Sequence, residues 1–245
     1  MAFAVLRNAT GDTTDGSIVT SSAFTPGVGE LLVVFASLTA ASSDSIRPAM
    51  TGSNGMSFSR QGTFVYWGAT TANFIGAYVA TGLVTSAVSM TVSINWGANT
   101  ATGASFVVAG IQGMQKVGGS VGQLGSGVGQ GAVVQSWGNT NTAAAVPQYA
   151  SALASDANNL VMCCVGSLDN PPAVTAPTGF VAFSSTGYAT PTAGLQVVQR
   201  QYGGAPAALA WGGLSSGTYG SVMVELACDN LDSTDCPQFV AGSGI

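Results

Sequence analysis

The chain has 245 residues, 47% hydrophobic and only 6% charged, with ten acids, five bases, no histidine and a formal net charge of -5. That length holds one large all-β domain or two small ones, each with room for a substantial core. The five cations, Arg7, Arg47, Arg60, Lys116 and Arg200, are scattered singly, which excludes the clustered phosphate neutralisation of nucleic-acid binding.

Average soluble domains are roughly 25% charged. Here solubility rests on Ser, Thr, Asn, Gln and 34 Gly, a surface suited to being covered by neighbours. The longest apolar runs are broken by Gly, Ser or Thr well short of the about 18 residues that span a bilayer. Residues 1–7, MAFAVLR, lack a basic segment followed by a long apolar one, so the expectation is folding in a cytoplasm.

In chain order, 3–8 reads as a first strand, followed by turn signals at Asn8-Ala9-Thr10-Gly11-Asp12 and Asp15-Gly16. Asn8-Ala9-Thr10 also matches a glycosylation sequon, read here as a turn. Residues 17–24 form a polar-alternating strand closed by Thr25-Pro26-Gly27. The run Leu31-Leu32-Val33-Val34-Phe35-Ala36-Ser37-Leu38 is almost unbroken and apolar, the pattern of a strand buried on both faces. Residues 40–56 are loop-like, and then 57–60, 62–67 and 73–80 carry aromatic and β-branched residues at period two. Strands at 89–96 and 105–111 complete the first set.

Residues 117–131 alternate Gly with small residues and read as the connection between two halves, 1–116 and 132–228. The second half opens with a strand at 132–137 and a short helical turn within 149–156. It then repeats the first in strand types rather than identities. Leu160-Val161-Met162-Cys163-Cys164-Val165 answers the run at Leu31. Thr178-Gly179-Phe180 answers Asn54-Gly55-Met56, and Gly194-Leu195-Gln196-Val197 answers the strand at Phe74. Ala210-Trp211-Gly212 answers Asn95-Trp96-Gly97, and 222–225 is matched to 106–109. Residues 229–245 form a C-terminal tail. Short strands, frequent turn signals and no amphipathic helix predict an antiparallel β-sandwich of jelly-roll type with weak internal duplication. One elaborated sandwich is preferred over two small tandem β domains. In it the two apolar runs are equivalent central strands of packed sheets, and 31–35 contacts the other half.

No catalytic, cofactor-binding or metal-binding residues are assigned. Without histidine, Ser-His-Asp and Cys-His catalysis and the commonest transition-metal ligand are excluded. A Ser-Lys dyad would need Lys116, which lies in no SxxK pattern. Glu30 and Glu225, the only glutamates, are the one pair a glycosidase could use, but no acidic cluster surrounds either. Glu30 reads as a strand entry and Glu225 as the exposed side of a period-two strand. Asp229, Asn230, Asp232 and Asp235 lack the glycine and terminal glutamate of a calcium loop and read as a solvated tail. Cys163 and Cys164 are adjacent, point to opposite faces and read as small buried hydrophobes, while Cys228 and Cys236 leave a disulfide open. Of the four tryptophans, Trp96 and Trp211 occupy matching packing positions. Trp67 and Trp137 remain as sugar-stacking candidates, Trp137 being the one expected to be exposed.

With Pro26-Gly27-Val28-Gly29-Glu30-Leu31, 55–58, 74–80, 92–96 and 107–113 followed by 160–166, 176–180 and 196–201, the chain resembles tailed-bacteriophage structural proteins built on a jelly-roll sandwich. The resemblance implies a virion component with no catalytic residues to carry over. It leads to the expectation of a capsid decoration (cement) protein, made in the host cytoplasm and stabilising the outer shell. Its partners would be the major capsid protein or other virion proteins, and further copies of itself in a homo-oligomer, with no nucleic acid, membrane or cofactor. Alternatives are a tail fibre, adaptor or receptor-binding component, a lectin-like module with a glycan partner, and a glycoside hydrolase.

Overall fold

The computed structural model describes residues 4–13, 18–40, 48–67, 73–96, 101–113, 132–141, 159–167, 175–186, 194–201, 210–213 and 219–227. Among these the chain forms thirteen strands and no helix. The first half supplies β1 (Ala4–Thr13), β2 (Ile18–Thr20), β3 (Leu31–Ala40), β4 (Ala49–Gly52), β5 (Phe58–Trp67), β6 (Asn73–Ala80), β7 (Val92–Asn95) and β8 (Ala101–Gln112). The second supplies β9 (Val133–Asn141), β10 (Leu160–Ser167), β11 (Val181–Thr186), β12 (Gly194–Gln201) and β13 (Tyr219–Leu226).

Two five-stranded antiparallel sheets result, β1-β8-β3-β6-β5 and β9-β13-β10-β12-β11, with a smaller sheet β2-β7-β4. Each large sheet places its half's first strand at one edge, its last strand next, and its apolar run in the centre. The equivalence extends to register. Leu31 of β3 lies opposite Ile111 of β8, as Leu160 of β10 lies opposite Leu226 of β13. Both edge strands bulge at the same point: β1 between Val5 and Arg7, beside Ile111 and Gly110, and β9 between Val133 and Gln135, beside Leu226 and Glu225. On this register Val222 corresponds to Val107, so the expected match of 222–225 to 106–109 is one residue out. A one-residue slip exchanges the faces of every side chain in a strand.

β3 and β10 read as continuous apolar runs because both faces of each are covered. On one side the two large sheets pack on each other, β5 against β9, β6 against β13 and β1 against β11. Their contact merges Leu160, Met162, Cys164, Val222, Val224 and Leu226 into the core of the first half. On its other side the first sheet is covered by β2-β7-β4. Val19, Met50, Val92 and Ile94 of that small sheet point inward while their neighbours face outward. Trp96, just after β7, meets Phe74 edge-on at a centroid distance of 6.0 Å. The outer face of the second sheet has a separate core of Val161, Cys163, Val165, Val198 and Met223 with Phe180 and Trp211.

The sheets approach most closely over a pair of glycines. Gly166 and Gly220 face each other across β10 and β13. A Cβ on Gly166 would lie 2.7 Å from Ser37 Oγ, and one on Gly220 would lie 2.8 Å from Ile75 Cγ2 and run into the Trp67 indole. These glycines form a notch that admits side chains of the first sheet.

Several local expectations are corrected. The turn signals at 8–12 lie inside β1, where Asn8 pairs with Ala109 and Gly11 with Phe106. Pairing along the length of β8 overrides the local turn preference. The loop-like stretch 40–56 contains β4, held by β7. Residues 57–60 and 62–67 are not two strands but one, β5. Its irregularity between Gln61 and Val65 contains Gly62 at a φ of 65°. The connection 117–131, the helical turn at 149–156 and the tail 229–245 lie outside the described residues.

Candidate functional site

Pro26 is followed by a turn in which Glu30 N donates to Gly27 O at 3.2 Å with Gly29 at a φ of 86°. That left-handed position is one that glycine takes at little cost. Between β4 and β5, Gly55 N donates to Gly52 O at 3.0 Å, Gly55 has a φ of 83°, and Asn54 Oδ1 accepts from Met56 N at 3.2 Å. The connection from β6 to β7 is pinned at its start, where Thr81 N and Thr81 Oγ1 both donate to Ser57 O at 2.9 and 3.2 Å. Val84 N then donates to Glu30 O at 2.9 Å.

Between the β4–β5 turn and the β6–β7 connection lies a groove of about 440 Å³. Its polar lining comes from Asn54, Ser57, Thr81, Thr85 and Ser86, and its apolar lining from Met56, Leu83 and Val88. Among the described residues no charged side chain lines it. Nothing in the sequence marked this place. The turn at 51–55 is legible as a turn, but 81–88 carries no motif, and only the fold brings the two together.

The residues weighed from sequence fall elsewhere. Glu30 is buried at the entry to β3. Glu225 is also buried, against the expectation of an exposed position. Gln135 donates through Nε2 to Glu225 Oε2, and Asn159 Nδ2 donates to Glu225 Oε1 at 2.7 Å. The period-two argument fails there because β13 is an inner strand covered on both faces. The two glutamates belong to different sheets, and neither lines the groove.

Trp67, Trp96 and Trp211 are buried, and Trp137 on the edge strand β9 is 36% exposed. Cys163 and Cys164 lie in separate cores, and burial pushes both thiols well above their ordinary range. Burial likewise raises the Tyr78 phenol, whose hydroxyl donates to Pro48 O at 3.4 Å, with Arg60 opposing the shift. Lys116, Cys228, Cys236 and the acidic cluster 229–235 lie outside the described residues. Among the described residues no group of three metal-ligating side chains forms, and no helix is long and apolar enough to cross a membrane.

Comparison with protein-family models, curated proteins and solved structures returned no match to this chain.

Proposed function

We propose that this chain is a structural component of a viral particle, a capsid decoration protein that adheres to the outer surface of the shell as an oligomer and stabilises it. The observation that carries the reading is the near absence of charge on the described surface. Among residues with described side chains the charged ones are Glu30, Arg60, Arg200 and Glu225. Both glutamates are buried, Arg200 is half-buried and Arg60 is exposed. The exposed apolar side chains include Ile18, Val28, Val88 and Val181. Depletion of charge with scattered apolar contacts is the composition of an interface core, not of a freely diffusing protein.

Strand order lends support to the jelly-roll form. The first half interleaves β1-β8-β3-β6 in one layer with β2-β7-β4 in the other, the pattern of a strand ribbon folded double and wound on itself. In the second half the bridge between Thr175 and Gly212, beside Trp211, corresponds to the pairing of β4 with β7 beside Trp96.

The test is addition of the purified protein to preformed expanded capsids assembled from the major capsid protein of a tailed bacteriophage. The expected result is saturable binding and a higher melting temperature of the shell. Failure to bind shells under conditions in which the protein is folded would reject the proposal.

A further inference from the structure

We propose that the groove between the β4–β5 turn and the β6–β7 connection is a binding site for a neutral saccharide. This inference is independent of where the protein sits in a particle.

The first argument is charge. A phosphorylated, sulfated or carboxylated ligand, or a charged peptide, would enter a lining that offers no counter-charge. The second is hydrogen-bonding type. Ser57, Thr85 and Ser86 bring hydroxyls to the lining, and a hydroxyl both donates and accepts, as every sugar hydroxyl does, while Thr81 Oγ1, which donates to Ser57 O, keeps its acceptor capacity. The third is amphipathic fit. A pyranose ring presents a C–H face as well as its hydroxyls, and Met56, Leu83 and Val88 supply apolar surface in the same groove, Val88 being 47% exposed. The volume of about 440 Å³ lies within the range of roughly 300–1,000 Å³ typical of small-ligand sites.

The groove is also preformed. The two donations from Thr81 to Ser57 O tie its walls together, and Asn54 is held on both sides, by Met56 N and by the Met90 sulfur at 3.5 Å. Fixed walls reduce the ordering cost of binding. At two glycines of the lining, Gly55 and Gly82, a Cβ would meet nothing within 4 Å. Without an aromatic platform in the lining, the expected dissociation constant for a single neutral sugar is on the order of 1 mM.

Gly82 provides the decisive variant, since it lines the groove and a Cβ there would meet nothing within 4 Å, so that Gly82→Leu adds bulk to the wall from an unobstructed position. A glycan array containing neutral, sialylated and phosphorylated oligosaccharides would be screened first. The neutral hits would then be titrated by saturation-transfer NMR against wild type, Gly82→Leu and Trp137→Ala, with melting temperatures recorded for each. The expected result is binding of neutral glycans only, weakened at least ten-fold in Gly82→Leu at unchanged melting temperature and retained in Trp137→Ala. Four results would each overturn the proposal: no neutral glycan bound, preference for acidic glycans, full binding by Gly82→Leu, or loss confined to Trp137→Ala. Loss of shell binding in Gly82→Leu with no glycan bound by wild type would reassign the groove to protein docking.

Discussion

Leu31 and Leu160 hold the same place in two sheets of identical strand order, yet the side chains around them have been exchanged. At one end of the first sheet, Glu30 enters the central strand and Gly110 lies on the last strand. At the matching end of the second, Asn159 enters and Glu225 lies on the last strand. Each sheet buries one carboxylate at the same end, supplied from different strands. Farther along, Ser37 pairs with Ser105 where Gly166 pairs with Gly220, and the glycine pair receives what the first sheet projects. Ser37 and Gly166 hold equivalent positions and touch each other across the interface. Self-contact of that kind places them at the pseudo-twofold axis of an isologous pair. Register, bulge and turn chemistry are therefore shared by the halves, while volume and charge are conserved only in the sum across a contact.

The sharpest way to break this arrangement is at the notch. Trp67→Ala removes a buried indole and is expected to destabilise the protein by about 3–5 kcal/mol in denaturant titrations. Gly220→Val overpacks the same contact and should cost about 1–3 kcal/mol. Because valine would occupy space the indole vacates, the double variant should be more stable than the sum predicts by about 1 kcal/mol or more. Strict additivity would show that the two positions do not meet.

The relocated carboxylate comes next. Glu225→Leu strands the amides of Gln135 and Asn159, at about 1–3 kcal/mol for each buried donor left unpaired. A loss below 1 kcal/mol, measured by the same titration, would mean that water replaces the carboxylate and that the site is not dry.

The all-β sandwich and its duplication were legible because they rest on local signals. The unbroken apolar runs at 31–38 and 160–165, and the glycines at 55 and 179, mark strand and turn without reference to the rest of the chain. What was misread depends on distant partners. Asn8 to Gly11 look like a turn until β8 runs beside them, and Glu225 looks exposed until β13 is known to be an inner strand. The groove was illegible for the same reason. Asn54 and Ser86 carry no motif and are joined only because β4–β5 and β6–β7 turn at the same end of the sandwich.

The shared turn chemistry predicts equal effects in the two halves. Gly55 and Gly179 both precede an edge strand, with φ of 83° and 84°. Alanine at either should cost about 1 kcal/mol through the left-handed backbone alone, with the two losses agreeing within about 0.5 kcal/mol. Gly82→Ala, with no contact within 4 Å, serves as the neutral control. Unequal losses at 55 and 179 would show that the two turns are differently supported.

The smallest effect separates the central strands by pH. Cys163 and Cys164 stand where the first sheet has Val34 and Phe35, and both thiols are raised from an ordinary 9.0 by desolvation. In the folded protein they stay protonated, whereas in the unfolded chain they ionise near pH 9. The unfolded state then binds fewer protons than the folded one, so their contribution to stability is complete below pH 9 and falls as pH rises. The loss sets in near pH 9 and steepens with each further pH unit. Replacing both cysteines by valine, the residue at position 34 of the first sheet, should flatten the alkaline limb without altering stability relative to wild type by more than about 1.5 kcal/mol at pH 7. The phenol of Tyr78, on the first sheet, is raised by the same cause from an ordinary 10.0. Its limb should begin about one pH unit later and survive the double replacement. If the alkaline decline between pH 9 and 10 were unchanged by removing both thiols, its source would be other groups than these two thiols.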